Sequence, residues 1–186
     1  MKNGEREFFQ LNSILSFSIL HSSLKKTYLC ARILKKLIMQ DAVKFRHEMP
    51  VQIRFSDVDQ FGHVNNSVYF SLYDLAKTTY MKEVFGTNDW HGLAVVVANI
   101  NANFYQPVFF SDEVLIETAV VHLGNKSFTL LQRAVSADGK REVKCECRTV
   151  MVGYDIVTKE PKPIAKAYKE AICRFEGKTL EELSAK

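Results

Sequence analysis

The alternation of apolar and polar residues predicts where the strands and helices of this chain lie. Residues 51–55 alternate between the two kinds of side chain, which is typical of a half-buried strand. A helical pattern follows over 68–85, and most of its circumference is apolar, so we expect its surroundings to bury it. Asn66 or Ser67 is suited to cap the start of this helix, and Gly86 is suited to end it.

Four strand-like runs follow the helix, and short turns separate them. Asp138-Gly139 is a strong hairpin signal, and short connections of this kind make successive strands antiparallel. The order of elements favours an α+β fold, in which a curved antiparallel sheet of about five strands wraps a long central helix. The four predicted strands cover about 93–106, 113–123, 127–136 and 141–155.

Neither a repeat nor a linker divides residues 41–178, so we predict a single domain there that ends in a helix over 165–175. Thr179 with Glu182 has the capping-box pattern, which predicts a short helix in the C-terminal tail, 179–186. A single curved sheet leaves its edges uncovered. We therefore expect a homodimer or homotetramer in which such edges are paired.

Residues 1–40 differ from the rest of the chain in charge. They carry seven Lys or Arg and two Asp or Glu, which leaves 18 basic and 19 acidic residues for the remainder. The nearly neutral body argues against a nucleic-acid-binding protein. We interpret 1–40 as a disordered extension or as the result of a mis-assigned start, with Met39 as the alternative start. Membrane association of this basic, partly amphipathic segment is less favoured.

The cysteines and histidines predict no metal site. Cys30, Cys145, Cys147 and Cys173 form no Cys-x-x-Cys pair, and the five histidines lack ligand spacing. We expect plain thiols in a reducing, cytoplasmic setting, and we expect no cofactor. The chain also lacks a Gly-x-Ser-x-Gly elbow and a phosphate-binding glycine loop, which excludes the serine hydrolases and P-loop enzymes that depend on them.

The residues best suited to chemistry lie directly before the central helix. Asp57, Asp59 and His63 share one turn-rich stretch there. Free N–H groups at a helix start can hold a developing oxyanion, and a nearby carboxylate can attack a carbonyl or activate water. Aspartates before helices are more often turn formers or caps, so the residue types alone indicate acyl transfer or hydrolysis only weakly.

The stretch from Arg54 to Asn66 resembles the signature of the hotdog-fold acyl-CoA thioesterases, in their 4-hydroxybenzoyl-CoA thioesterase and YbgC-like branch. That signature is Arg-aromatic-x-Asp-x-Asp-x-x-Gly-His-Val-Asn-Asn, and every element is present. The resemblance covers roughly residues 45–178, including the runs 125–128 and 175–177. It implies a hydrolase of acyl-CoA or acyl-carrier-protein thioesters, in which coenzyme A is part of the substrate.

The resemblance also implies roles for single residues. Asp59 would act on the thioester carbonyl, as a nucleophile or as the general base for water. The backbone N–H of Asn66 would contact the oxyanion, with Asn65 adjacent, and the pocket would be lined partly by a second subunit. Four further residues are candidates for substrate binding or loop ordering, namely His63, Asp57, Lys126 and Ser127.

Three alternatives stay open beside this hypothesis. Asp74 lies on the polar side of the central helix, where related thioesterases outside this branch carry a carboxylate, but we favour a solvated or interface role. The chain could instead bind acyl-CoA or acyl chains without turnover. An enoyl-CoA hydratase ranks last, because the residues between Asp59 and His63 lack the Asn-Pro that those enzymes require.

Overall fold

Five strands and three helices make up the part of the chain that the computed structural model describes, which is residues 43–87 and 93–185. The predicted extension, 1–40, lies outside these residues. The first strand and the long helix are β1 (His47–Val51) and α1 (Asn66–Phe85). The other elements are β2 (Val95–Phe104), β3 (Val114–Leu123), β4 (Ser127–Ser136), β5 (Val143–Gly153), α2 (Lys166–Glu176) and α3 (Leu180–Ser184).

The strands form one antiparallel sheet in the order β1-β3-β4-β5-β2. Register shifts interrupt three of its four strand pairs, and bulges of this kind bend a sheet. The predicted α+β fold, a five-stranded antiparallel sheet with one long central helix, is confirmed. The edge strands β1 and β2 each have one sheet neighbour, and they flank a continuous centre of β3, β4 and β5.

The core lies between α1 and the face of the sheet that α1 covers. Tyr73, Ala76 and Tyr80 of the helix are almost completely buried. The Gln132 side chain on β4 donates a 2.9 Å hydrogen bond to the carbonyl of Tyr73. The sheet covers only one side of the helix, and Phe70 remains 38% exposed in this chain. The predicted burial around most of α1 is therefore not reached within a single chain.

The first strand lies at His47–Val51 instead of 51–55, and the predicted cap of α1 is also wrong. One loop explains where the strand ends and where the helix begins. The first strand ends at Val51 instead of 55, because the Asp57 carboxylate accepts the backbone N–H of Arg54 at 2.8 Å and the chain turns into a 3₁₀ helix. The cap of α1 is Asn65, one residue before the predicted Asn66 or Ser67. Its side chain accepts the N–H of Ser67 at 2.9 Å.

The C-terminal helices are tied to the sheet through a buried glutamate. Glu176 at the end of α2 accepts the hydroxyl of Tyr80 at 2.6 Å and the N–H of Val120 at 2.8 Å. Burial raises the pKa of Glu176, although these two donors oppose the shift. The predicted capping box is confirmed, since Thr179 and Glu182 exchange hydrogen bonds at the start of α3.

A buried histidine joins the edge strand β1 to α1. His47 is 2% exposed, and its Nε2 lies 3.0 Å from Oγ1 of Thr79. Burial lowers the pKa of His47, while the nearby carboxylates of Glu83 and Glu48 oppose that shift. The folded protein therefore binds a proton at His47 less readily than the unfolded chain does.

Because the pKa of His47 is lower in the folded protein than in the unfolded chain, we expect the free energy of unfolding to depend on pH. A histidine whose folded pKa is lowered contributes fully above its unfolded pKa of about 6.5 and loses that contribution as pH falls towards the folded pKa. Between about pH 7 and 5, His47 should lower the unfolding free energy of the wild type, by at most about 1.4 kcal/mol per pH unit. Urea unfolding of wild type and His47→Asn across this range measures the effect, and parallel pH profiles would contradict it.

Candidate active site

An ion pair between a buried carboxylate and an exposed arginine fixes the loop that precedes α1. Asp57 is 3% exposed, and its carboxylate accepts the guanidinium of Arg54 at 3.2 and 3.3 Å as well as the backbone N–H of that residue. Burial alone would raise the pKa of Asp57, but the hydrogen bonds and charge of Arg54 outweigh it and lower the pKa. The carbonyl of Asp57 accepts the N–H of Asn65 at 2.9 Å, which links the ion pair to the start of the helix.

Asp59 begins a tight turn within this loop. Its carbonyl accepts the N–H of Gly62 at 3.0 Å, and its Oδ1 accepts the N–H of Phe61 at 2.8 Å. Gly62 has a φ of 83°, a conformation that glycine adopts without strain. The Oδ2 atom of Asp59 lies 3.8 Å from Nδ1 of His63, too far for a direct hydrogen bond. The turn therefore holds one carboxylate oxygen and leaves the second next to the imidazole.

The segment that follows β2 contacts the end of the loop that precedes α1. Val64 donates its N–H to the carbonyl of Val108 at 2.8 Å, and His63 forms an isolated bridge with Phe109. Val64 and Val108 are both buried, so an apolar contact reinforces these backbone bonds. The position of His63 thus depends on two segments that are distant in sequence.

The start of α1 offers an unused donor. The Asn65 side chain accepts the N–H of Ser67, and the Asn65 carbonyl accepts the N–H of Val68 at 2.9 Å. The backbone N–H of Asn66 has no acceptor among the described residues. An unpaired N–H at the positive end of a 20-residue helix is suited to stabilise a developing oxyanion.

A cavity of about 330 Å³ opens beside this donor. His63 and Asn66 line it together with aromatic side chains, whereas Asp59 does not. Burial raises the pKa of the lining residue Tyr69 to about 12, so that its phenol stays neutral. The remaining lining residues are Val64, Phe104, Tyr105, Gln106 and Pro107.

The structure does not bring Lys126 and Ser127 to this cavity. Lys126 lies in the turn between β3 and β4, and Ser127 begins β4, where it pairs with Val152, while the cavity adjoins the opposite end of the sheet. Strands of ten residues at about 3.3 Å each separate the two ends by roughly 30 Å. Asp74 is 71% exposed and forms a 2.6 Å ion pair with Lys77 on the surface of α1.

Sequence reasoning missed the aromatic residues around the loop. Phe55 and Phe61 are 86% and 74% exposed, and the ring of Phe55 meets that of Phe110 edge to face. Composition could not separate such residues from the core, because the helix and sheet also bury many aromatic side chains. The available signal was their position, since Phe55 and Phe61 lie among polar turn residues.

Neither a metal centre nor a membrane span is found in the described part of the chain. Over 43–87 and 93–185, no three His, Cys, Asp or Glu side chains come together as a metal ion would need. None of the helices in these ranges is both long enough and apolar enough to cross a bilayer.

Comparisons with known proteins agree with the fold. A family model described as the thioesterase-like superfamily matches residues 53–172. A thioesterase of Thermus thermophilus, solved in complex with coenzyme A and Zn, superposes with a TM-score of 0.65 at 29% identity, covering 73% of this chain and 98% of that one. The PA5185 protein of Pseudomonas aeruginosa PAO1 gives a TM-score of 0.62 at 28% identity, covering 70% of this chain and 92% of its own.

Two curated relatives carry named activities. The long-chain acyl-CoA thioesterase FadM of Escherichia coli K12 is 26% identical over 112 residues, which cover 59% of this chain and 84% of FadM. The acyl-CoA thioester hydrolase YbgC of Escherichia coli O6:H1 is 23% identical over 121 residues, covering 63% of this chain and 89% of YbgC.

The fold and the family match together define the class of this protein. Because the matching model spans more than half of the chain, the chain belongs to the thioesterase-like superfamily. The predicted family is confirmed, and with it the prediction that the chain is a thioesterase. The roles of the individual site residues stay predictions.

We expect the Arg54–Asp57 ion pair to hold the loop in place. In Asp57→Asn the amide cannot accept both the backbone and the guanidinium donors as the carboxylate does, so the unfolding free energy should fall by about 1–3 kcal/mol. Urea unfolding measures this change. Asp138→Asn is the matched control, because the Asp138 carboxylate also accepts a backbone N–H but is exposed. Equal losses in the two variants would contradict the assignment.

Proposed function

We propose that this chain hydrolyses acyl-CoA thioesters to a free acid and coenzyme A. The observation that supports the proposal best is that one short loop carries the Asp59 turn and leads to the free N–H of Asn66, in a chain of the thioesterase-like superfamily. The acyl-CoA thioesterase activities named for FadM and YbgC support acyl-CoA as the substrate class. An acyl-carrier-protein thioester carries the same reacting group and is the alternative substrate.

In the proposed reaction the thioester carbonyl enters the cavity with its oxygen directed at the N–H of Asn66. The carboxylate of Asp59 then follows one of two routes. As a nucleophile it forms a mixed anhydride and expels the thiolate, and water afterwards hydrolyses the anhydride. As a general base it takes a proton from water, whose oxygen attacks the carbonyl, and that proton leaves with the thiolate. In both routes the N–H of Asn66 stabilises the negative charge on the carbonyl oxygen.

His63 and Asp57 support this reaction without carrying it. His63 lines the cavity, and its Nδ1 lies 3.8 Å from the Oδ2 atom of Asp59, so it can orient the carboxylate or bind the substrate. Both carboxylate oxygens of Asp57 accept hydrogen bonds from Arg54, so neither is available to the substrate. We therefore assign Asp57 as a positioning residue.

We further propose that the working unit is a homodimer joined along β2. This edge strand exposes a row of apolar side chains, among them Val97 at 43% and Ile100 at 44%. Antiparallel pairing of two β2 strands would set the Val95 end of one copy against the Phe104 end of the other. In each copy Val95 pairs with Gly153, whose N–H donates to the carbonyl of Lys126 at 2.8 Å.

This pairing would bring Lys126 and Ser127 of one subunit towards the cavity of the other. Neighbouring strands lie about 4.8 Å apart, so the two groups would be separated by a few strand widths instead of the length of the sheet. A single lysine there would attract the anionic part of coenzyme A in a body that is otherwise nearly neutral. The dimer thus accounts for a predicted contact that a single chain does not make.

The three cysteines within the described residues, Cys145, Cys147 and Cys173, are free thiols. Burial raises the pKa of Cys145 to about 11, which keeps it protonated and unreactive. These thiols support a reducing compartment, and we propose that the protein acts in the cytoplasm.

Asp59→Asn should abolish most turnover without unfolding the protein. An amide is neither a nucleophile nor a base, so kcat should fall by at least about 100-fold. Thiol release from an acyl-CoA panel measures kcat, and circular dichroism checks folding. Asp74→Asn is the matched control and should keep near-normal kcat. If Asp74→Asn is inactive and Asp59→Asn is active, the reacting carboxylate lies on α1.

Mixing two inactive or weakened variants tests the shared site. Lys126→Glu should raise the KM for acyl-CoA by several-fold, because it places a like charge near the phosphates. Mixed dimers of Asp59→Asn and Lys126→Glu chains contain one site with both native residues, so activity at low substrate should exceed that of either parent. If Asp59 and Lys126 served one site within a single chain, mixing would restore nothing.

A non-catalytic acyl-CoA-binding module is the second candidate. The cavity of about 330 Å³ with its aromatic lining is compatible with binding alone. Tight binding of acyl-CoA without thiol release, in wild type and Asp59→Asn alike, would favour this module over the hydrolase. An enoyl-CoA hydratase would instead hydrate a crotonyl thioester.

A further inference from the structure

Two aliphatic side chains project into solvent at the end of the sheet opposite the candidate active site. Ile156 and Val157 are 73% and 85% exposed, and they form the tip of the turn that follows β5. Only Phe55 and Phe61 are comparably exposed among the large apolar side chains of the described residues. Those two belong to the active-site loop, whereas the proposed function uses neither residue of the tip.

The turn presents these side chains in a fixed arrangement. Asp155 Oδ1 accepts the N–H groups of Val157 and Thr158 at 2.9 and 3.0 Å, and the Asp155 carbonyl accepts the N–H of Lys159 at 2.8 Å. A further bond joins the N–H of Asp155 to the carbonyl of Glu160 at 2.9 Å. The exposed tip is therefore ordered before any partner binds, so little conformational entropy is lost when its side chains are buried.

Three lysines lie on the chain segments next to this tip. The backbones of Lys126 and Lys162 both hydrogen-bond to Gly153, one from each side, at 2.8 Å. Lys159 lies within the turn itself. None of these three ammonium groups has an acidic partner within 4.0 Å in the described part of the chain. Over 124–127 and 153–166 the chain carries four lysines against two acids, Asp155 and Glu160.

We propose that this end of the protein docks on an anionic lipid surface. In this arrangement Ile156 and Val157 enter the interface between headgroups and acyl chains, and Lys159 and Lys162 contact the lipid phosphates. A protein partner fits less well, because a specific protein interface buries about 1,200 Å² or more, whereas the tip is a convex projection of two side chains. The inference does not depend on the proposed hydrolase activity.

Vesicle co-sedimentation of the full chain tests the proposal. Wild type should bind vesicles of mixed phosphatidylcholine and phosphatidylglycerol, and it should bind vesicles of phosphatidylcholine alone much more weakly. The double variant Ile156→Ser/Val157→Ser should partition about tenfold more weakly. The matched control is Leu180→Ser, which removes a 45% exposed leucine outside the tip. Residues 1–40 are present in all variants, so a difference between variants reports on the tip.

Charge variants test the proposed contact between the lysines and the lipid phosphates. Lys159→Gln/Lys162→Gln should weaken binding to anionic vesicles by about tenfold, since each lysine near the surface contributes to attraction. Lys140→Gln, in the exposed turn before β5, should bind like wild type. Added salt should weaken wild-type binding for the same reason.

A fluorescence measurement checks insertion directly. Val157→Trp should show a blue-shifted emission on anionic vesicles after the wild-type spectrum, which contains Trp90, is subtracted. Failure of wild type to bind anionic vesicles would overturn the proposal, and so would wild-type binding by the serine double variant. A change in oligomeric state of that variant by light scattering, with vesicle binding intact, would instead identify a second copy as the occupant.

Discussion

The buried carboxylate of Asp57 is the contact on which the candidate active site depends. The carboxylate accepts the backbone N–H of Arg54 just after β1 ends, and so the chain turns away from the sheet. The backbone carbonyl of Asp57 accepts the N–H of Asn65, the cap of α1. One residue therefore sets both the exit from the sheet and the entry into the helix. The residues between Asp57 and Asn65 are held at both ends, and the tight turn of Asp59 lies within this short loop that leads into α1.

The second constraint is that one sheet covers only one side of the central helix. The core between them buries Tyr73 and Ala76, but it leaves Phe70 and the apolar row on β2 in contact with solvent. The predicted contact between Lys126 and the substrate is also out of reach within one chain. A dimer through β2 would account for both features. It would cover the exposed edge, and it would set the Lys126 end of one sheet next to the cavity end of the other.

Local patterns predicted most of the fold. The bounds of β4 are those predicted, because a strand-like run lies between clear turn signals at both ends. The first strand was misplaced because alternation continues past its end to Ile53, which is buried without being in a strand. No window of sequence reveals that the Asp57 side chain folds back three residues. The position of Lys126 depends on strand order, which periodicity does not contain.

The sequence likewise indicated some of the candidate site residues and missed others. The resemblance implied roles for both Asp59 and the N–H of Asn66, and these roles stay predictions; the helix pattern placed the cap one residue too late. The aromatic lining of the cavity, such as Tyr69 and Phe104, could not be separated from the core by composition. The isolated bridge between His63 and Phe109 joins segments 46 positions apart, so only the folded chain reveals it.

The most direct test of the central claim is the stoichiometry of thiol release. Purified full-length protein is mixed with acyl-CoA substrates of different chain lengths, together with benzoyl-CoA, and free thiol is followed over time. The account predicts that at least one substrate releases many equivalents of thiol per chain, at a constant initial rate. Saturable binding of these substrates with no thiol release from any of them would contradict it.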